Sequence, residues 1–182
     1  MTTPHANLTG ANLHEPKGVA TATAQHVYIA NGSGSGNWQL HSPYGGLRYA
    51  DFTTGTTFTA PTAYTLINVV SSATNLNSFT QNSLGRLTYT GSTTRVFKVT
   101  VNCVVKHSVG SADTYFSIYK NGAATSPAAE TVVRVAGTDF VLVSFDTDVS
   151  LVQNDYLEVF TKVASGNTVV HSLYMFAEGF PA

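Results

Sequence analysis

The stretch Thr114-Tyr-Phe-Ser-Ile-Tyr-Lys-Asn-Gly122 is an alternating strand that runs into a tight Asn-Gly turn. A period of two sends Phe116 and Ile118 to one face and Tyr115 and Tyr119 to the other, which is the pattern of a pleated strand. Asn121 and Gly122 tolerate the positive φ angles that a two-residue hairpin turn demands. A chain with this feature is committed to a sheet at its centre.

The rest of the C-terminal three quarters agrees. Alternating runs recur at Ala63–Val70, Thr93–His107, Asp113–Lys120, Glu130–Ala136, Thr138–Val149, Asp155–Val163 and Thr168–Phe176, broken by Gly, Ser, Asn and Pro turns. That spacing predicts an all-β sandwich or barrel. Thr and Val, stiff at the first side-chain torsion, recur throughout and favour strands. No segment holds a helical apolar period, so little helix is expected.

Charged residues make up 10% of the chain, against roughly 25% in an ordinary soluble domain. The surface is wetted by Thr, Ser and Asn instead, as where partners cover much of it. The formal net charge of −1 gives no electrostatic reason to expect nucleic acid or an acidic membrane surface. No stretch approaches the ~20 apolar residues that span a bilayer. Met1 to Asn12 is polar and lacks a basic run followed by an apolar one, so no secretory signal is expected and no membrane partner either. The sequons Asn7-Leu-Thr9 and Asn31-Gly-Ser33 then read as chance matches. Cys103 is the only cysteine, which excludes an intrachain disulfide. It alternates with Phe97, Val99, Val101 and Val105, and reads as a small buried apolar side chain.

Organisation changes near Gly45. Before it, the only charged side chains are Glu15 and Lys17, and the segment offers small residues, histidines and Gly32-Ser-Gly-Ser-Gly36. It has too few large apolar groups to fold alone. Val27-Tyr-Ile-Ala30 reads as a short strand, and Trp38 is the chain's only tryptophan, a side chain that seldom stays in water without a partner. Residues 1–45 are therefore read as an extended docking arm, with Leu13, Pro16, Val19, Tyr28, Ile29 and Trp38 as its anchors, and residues 46–182 as the head. The echo Ala6-Asn-Leu-Thr-Gly, Ala11-Asn-Leu-His-Glu is too short for a β-helix, which needs several stacked units.

Several short motifs carry a family resemblance over roughly Gly46 to Ala182. Lys120-Asn121-Gly122 closes a strand as in the jelly rolls of the tumour-necrosis-factor and complement-globular-head superfamily. Gly85 to Val101 resembles that family's glycine-marked strand pair, Leu151 to Val159 its turn and strand near the C-terminus, and Phe176-Ala-Glu-Gly-Phe180 its aromatic-Gly-Phe ending. The tract from Leu13 through Trp38 is similar to N-terminal segments of tailed-bacteriophage structural proteins. These resemblances imply a jelly-roll β-sandwich, a homotrimer and a place in a virion.

The run Phe140-Val-Leu-Val-Ser-Phe145 is apolar on both faces, with Phe140 and Leu142 on one and Val141, Val143 and Phe145 on the other. A monomeric sandwich should show one polar face. Tyr115 and Tyr119 likewise lie opposite Phe116 and Ile118. Something besides solvent is expected to cover the second faces. The resemblance implies sister subunits, with Tyr115, Tyr119, Val141, Val143 and Phe145 as interface candidates; cover by the protein's own arm is the competing account.

Chemistry leaves little trace. The chain has no Gly-x-Ser-x-Gly elbow, no His-Glu-x-x-His and no Gly-x-x-x-x-Gly-Lys-Ser/Thr loop. Gly32 to Gly36 reads as a linker, because Asn37-Trp38-Gln39 opens no convincing helix to hold phosphate. His5, His14, His26 and His41 carry no ligand spacing, and Asp146, Asp148 and Asp155 read as solvated turn carboxylates. No enzyme, cofactor or metal is expected. The expected function is that of a virion-surface structural protein, a capsid decoration or head fibre docked on capsid or other virion proteins through its arm. A tail-tip receptor-binding head for a host surface glycan and a free lectin-like module are the alternatives.

Overall fold

The computed structural model describes residues 26–30, 36–59, 62–108, 110–125, 128–137 and 139–180. Two compact units divide between His41 and Ser42. In the first, β1 (His26–Ala30) and β2 (Gly36–Leu40) pair antiparallel as a hairpin. The segment expected to be an extended arm thus folds back on itself over these residues. Tyr28 stands opposite Trp38, and their rings meet edge to face with centroids 5.4 Å apart. Such a cross-strand aromatic pair is what stabilises a hairpin with so few apolar residues.

The second unit is built of β3 (Tyr44–Ala50), β4 (Thr56–Phe58), β5 (Thr65–Leu66), β6 (Ser72–Asn77), β7 (Phe79–Gln81), β8 (Leu87–Tyr89), β9 (Arg95–His107), β10 (Ser111–Lys120), β11 (Ala123–Ala124), β12 (Glu130–Ala136), β13 (Val141–Leu151), β14 (Tyr156–Val163) and β15 (Thr168–Gly179). One sheet runs β13-β9-β15-β3-β6, with β4 also on β15; the other runs β11-β10-β14-β8-β7, with β12 on β10 and β5 on β14. All pairings are antiparallel, and the described residues hold no helix. The architecture is a jelly-roll β-sandwich. The junction expected after Gly45 falls inside β3.

Alternation positions the core. On β9 the inward residues Phe97, Val99, Val101, Cys103 and Val105 are all fully buried. They meet Phe116 and Ile118 of β10, Leu157 and Val159 of β14, and Leu173 and Met175 of β15 in one apolar cluster. Phe79, Tyr89 and Phe97 form an aromatic triangle at its base, with centroids 4.9 to 5.3 Å apart. Burial pushes the Cys103 thiol pKa up, so this cysteine is a space-filling apolar group.

The Asn-Gly turn is present as expected. Asn121 (φ 54°) and Gly122 (φ 75°) join β10 to β11, with Lys120 opposite Ala123. Of the expected runs, Ala63–Val70 is shorter in the sheet than its composition implied. Only Thr65 and Leu66 pair, against Thr161 and Phe160 of β14.

Candidate association face

The inward commitment of alternate β9 residues leaves Lys98, Thr100, Asn102, Val104 and Lys106 pointing outward. Register extends this face across the sheet. Asp146, Thr100, Phe176, Gly46 and Thr74 form one row; Ser144, Asn102, Tyr174, Arg48 and Ser72 the next; Leu142, Val104, Ser172 and Ala50 the one after.

An aromatic ladder occupies the middle of the face. The ring of Phe176 stacks on Tyr174 at 6.2 Å with an interplanar angle of 6°, and on Tyr44 at 6.3 Å and 28°. Gly46 makes room for it, since a Cβ there would lie 2.9 Å from Phe176 Cδ2 and 2.7 Å from Thr74 Oγ1. A ring lying across a bare glycine is a recurrent way to cover such a strand position. Beside the ladder, Leu142, Phe52 and Phe140 are 67%, 60% and 55% exposed. Phe140 lies edge-on to His171 at 4.8 Å, and Lys106 Nζ sits 5.3 Å from its ring centroid. A groove of about 500 Å³ runs between Arg48, Ala50, Phe52, Thr74, Ser172 and Tyr174. Leu142, Phe52, Phe140 and the ladder thus form an apolar patch set among Thr100, Asn102, Ser144 and Ser172, the kind of surface that marks association sites.

The expected interface residues do not share this face, and the reading of β13 needs correction. Val143 is buried in the sandwich core, and Val141 and Phe145 pack against the same cluster. A one-residue choice of face decides every side chain of a strand, and here the outward side belongs to Leu142, Ser144, Asp146 and Asp148. Tyr115 and Tyr119 lie on the outward face of the other sheet, where the protein's own side chains cover them. Tyr119 stacks on Phe160 at 3.9 Å and meets Tyr64 at 5.7 Å. Lys162 Nζ sits 4.4 Å from the Tyr64 centroid and 4.6 Å from that of Tyr115. The Tyr64 hydroxyl donates to the Glu130 carboxylate, and burial followed by that carboxylate pushes the Tyr64 pKa well up.

Of the arm anchors, Tyr28 and Trp38 are brought together, and Ile29 lies in β1 opposite Asn37 of β2. Leu13, Pro16 and Val19 lie outside the described residues, as do His5, His14, both sequons and most of Gly32 to Gly36. Asp146 and Asp148 are exposed, but Asp155 is not the solvated turn carboxylate expected: it is 6% exposed and held by three donors. Among the described residues no group of three or more His, Cys, Asp or Glu side chains is arranged to hold a metal, and no helix is long and apolar enough to cross a membrane. The missed residues, Tyr44, Gly46, Arg48, Phe52, Tyr174 and Phe176, had a signal. Leu173 to Ala177 is apolar on both faces, as Phe140 to Phe145 is.

No protein-family model and no curated protein matches the chain. Solved structures do. The globular domain of zebrafish complement 1qA shares 11% identity, with 78% of this chain and 100% of that one covered at a TM-score of 0.51. The PRD1 vertex protein P5 shares 14% (77% and 97% covered, TM-score 0.47), and an Eiger TNF from S. frugiperda 13% (77% and 95% covered, TM-score 0.43). With two antiparallel sheets already traced strand by strand, the likeness to the complement domain shows the fold of this chain to be a jelly-roll β-sandwich.

Proposed function

We propose that this chain is a non-enzymatic structural protein of a bacteriophage virion. Its jelly-roll heads associate as a homotrimer, and its N-terminal arm docks the trimer on capsid or other virion proteins as a decoration or short head fibre. The observation that carries this reading is the outward face of the β13-β9-β15-β3-β6 sheet, with its stacked Tyr44, Phe176 and Tyr174 rings and exposed Leu142 and Phe140. A face of that composition is stable when copies of the chain cover it.

The arm reading has separate support. The β1–β2 hairpin forms a unit of its own, and two strands alone are marginal in water. Among the described residues it is a two-stranded sheet, and strand addition to a partner sheet is a docking mode suited to such an element. Three arms on one trimer raise the effective concentration of each, so weak single contacts become long-lived.

Light scattering on the full chain tests the first element of this reading, with three times the chain mass expected at micromolar concentration. A monodisperse monomer would remove the trimer and, with it, the avidity on which docking depends.

A further inference from the structure

Asn121-Gly122 forms the turn at the end of β10, and both residues are exposed. An Asn-Gly pair carries its own chemistry. The Gly122 nitrogen can attack Asn121 Cγ, because glycine has no Cβ to shield the attacking amide. The N–Cγ bond forms as the Cγ–Nδ2 bond breaks, the Gly122 amide proton leaves with Nδ2 as ammonia, and a cyclic imide remains. Water then opens the imide. Cleavage at N–Cγ leaves aspartate, and cleavage at the backbone carbonyl leaves isoaspartate, with water as the only reagent consumed.

The fold holds this attack back. To present Cγ to the Gly122 nitrogen, the Asn121 side chain must leave its present partners. Its Nδ2 donates to Asp155 Oδ1 at 2.6 Å, and its Oδ1 accepts from the Tyr156 N–H at 3.0 Å. The Asn121 N–H donates to the Tyr156 carbonyl at 3.0 Å, so main chain and side chain grip the same neighbour. Closing the ring would also reset ψ of Asn121, which the turn between the paired Lys120 and Ala123 fixes. Asp155 is itself immobile, buried and accepting from the Val152 N–H while paired with Lys120 Nζ. A short hydrogen bond to an ionised carboxylate is among the stronger kinds, and this one ends on the nitrogen that must depart.

Conversion would undo the lock. The product puts a carboxylate where the amide donor stood, against Asp155 Oδ1, and like charges that close oppose the ionisation of both. Lys120 Nζ is already engaged, by Asp155 and by the Ser150 carbonyl. Isoaspartate further lengthens the backbone by a carbon, which a two-residue hairpin turn does not absorb.

We propose that Asn121 is a self-modification site, kept in its amide form by Asp155, and that its deamidation unfastens the β10–β11 turn from the turn before β14. The inference stands on this turn alone and is independent of how copies of the chain associate.

Incubation of the full chain in mildly alkaline buffer, folded or unfolded in guanidinium, tests it, with conversion followed by peptide mass mapping. Mapping separates Asn121 from Asn31, which heads the chain's other Asn-Gly pair. Conversion at Asn121 is expected to be about tenfold slower in the folded wild type than in the unfolded chain. Asp155→Ala, shown to be folded by circular dichroism, should recover most of that difference, since tenfold in rate corresponds to ~1.4 kcal/mol, the scale of one hydrogen bond to a charged group. Equal rates in the folded and unfolded wild type overturn the protection, and equal rates in folded wild type and folded Asp155→Ala overturn the role of Asp155. As a second measurement, Asn121→Asp installs the product directly and should lower the melting temperature at neutral pH. A melting temperature equal to that of the wild type overturns the release.

Discussion

The Asn121 side-chain amide donates to Asp155 Oδ1 at 2.6 Å, locking the Asn-Gly hairpin turn to the turn that precedes β14. The contact is reciprocated, since the Tyr156 N–H donates to Asn121 Oδ1 at 3.0 Å. Asp155 Oδ2 accepts from the Val152 N–H at 2.9 Å and pairs with Lys120 Nζ at 2.9 Å. The Lys120-Asn121-Gly122 sequence thus closes a strand and also supplies two of the three groups that hold a buried carboxylate.

Burial alone would raise the Asp155 pKa, but the Val152 N–H, the Asn121 amide and Lys120 together hold it below the ordinary carboxylate value. A depressed folded-state pKa contributes stability that is present above the unfolded value, near ~3.9, and is lost as pH falls through the folded value. The melting temperature of the head should therefore drop on acidification below about pH 4. Asp155→Ala should cost about 1–2 kcal/mol at neutral pH, because it removes the shared acceptor of three part-buried contacts whose donors can still reach water, and should flatten the acid limb of the curve. An Asp155→Ala protein with the wild-type acid dependence would show that other carboxylates carry it.

Phe97 closes the aromatic triangle with Phe79 and Tyr89 and is fully buried. Phe97→Ala should destabilise the head by about 3–5 kcal/mol through lost burial and the cavity left behind. That corresponds to a fall in melting temperature of roughly 10 °C. A change of only a degree or two would mean that the surrounding rings collapse into the space.

Gly46 faces Phe176, and a methyl group there would also meet the Met175 carbonyl at 3.0 Å. The ring has little freedom to yield, held as it is between Tyr44 and Tyr174. Gly46→Ala is expected to cost about 1–3 kcal/mol by overpacking, read by thermal denaturation. Neutral behaviour would indicate that the Phe176 ring can leave the ladder freely.

The same glycines explain what was hidden in the sequence. Strands β9, β10, β12, β13 and β14 were legible because their inward residues, such as Phe97, Val99 and Val101, alternate without interruption. β3 was not, since Tyr44-Gly-Gly-Leu-Arg-Tyr-Ala50 shows two glycines where a strand pattern needs side chains. Those side chains exist but come from elsewhere in the chain, Phe79 over Gly45 and Phe176 over Gly46. Likewise β6, Ser-Ala-Thr-Asn-Leu-Asn, is an edge strand with mostly exposed side chains and no alternation to read. For the candidate face, the apolar two-sidedness of β13 was visible in Phe140 to Phe145, but not which side was inward. That depends on the pairing of Val143 with Cys103, a long-range contact that no local pattern encodes.

The arm decides between a particle protein and a free head. Among the described residues β1 and β2 pair with each other, and the division from the second unit falls between His41 and Ser42, before the first strand of the sandwich. Deleting residues 1–41 should leave the mass and melting of the head nearly unchanged while abolishing co-sedimentation with particles that lack the native protein. Trp38→Ala removes the ring that faces Tyr28, and should weaken that binding by over ~2 kcal/mol if the ring is an anchor in a partner pocket. Tyr28→Ala, which leaves Trp38 in place but breaks their edge-to-face contact, should weaken binding less, because it disturbs only the hairpin's preorganisation. Equal losses from the two substitutions would make the aromatic pair a folding element of the hairpin, with the docking contacts elsewhere on the arm. Binding that survives the deletion would move the docking surface onto the jelly roll itself.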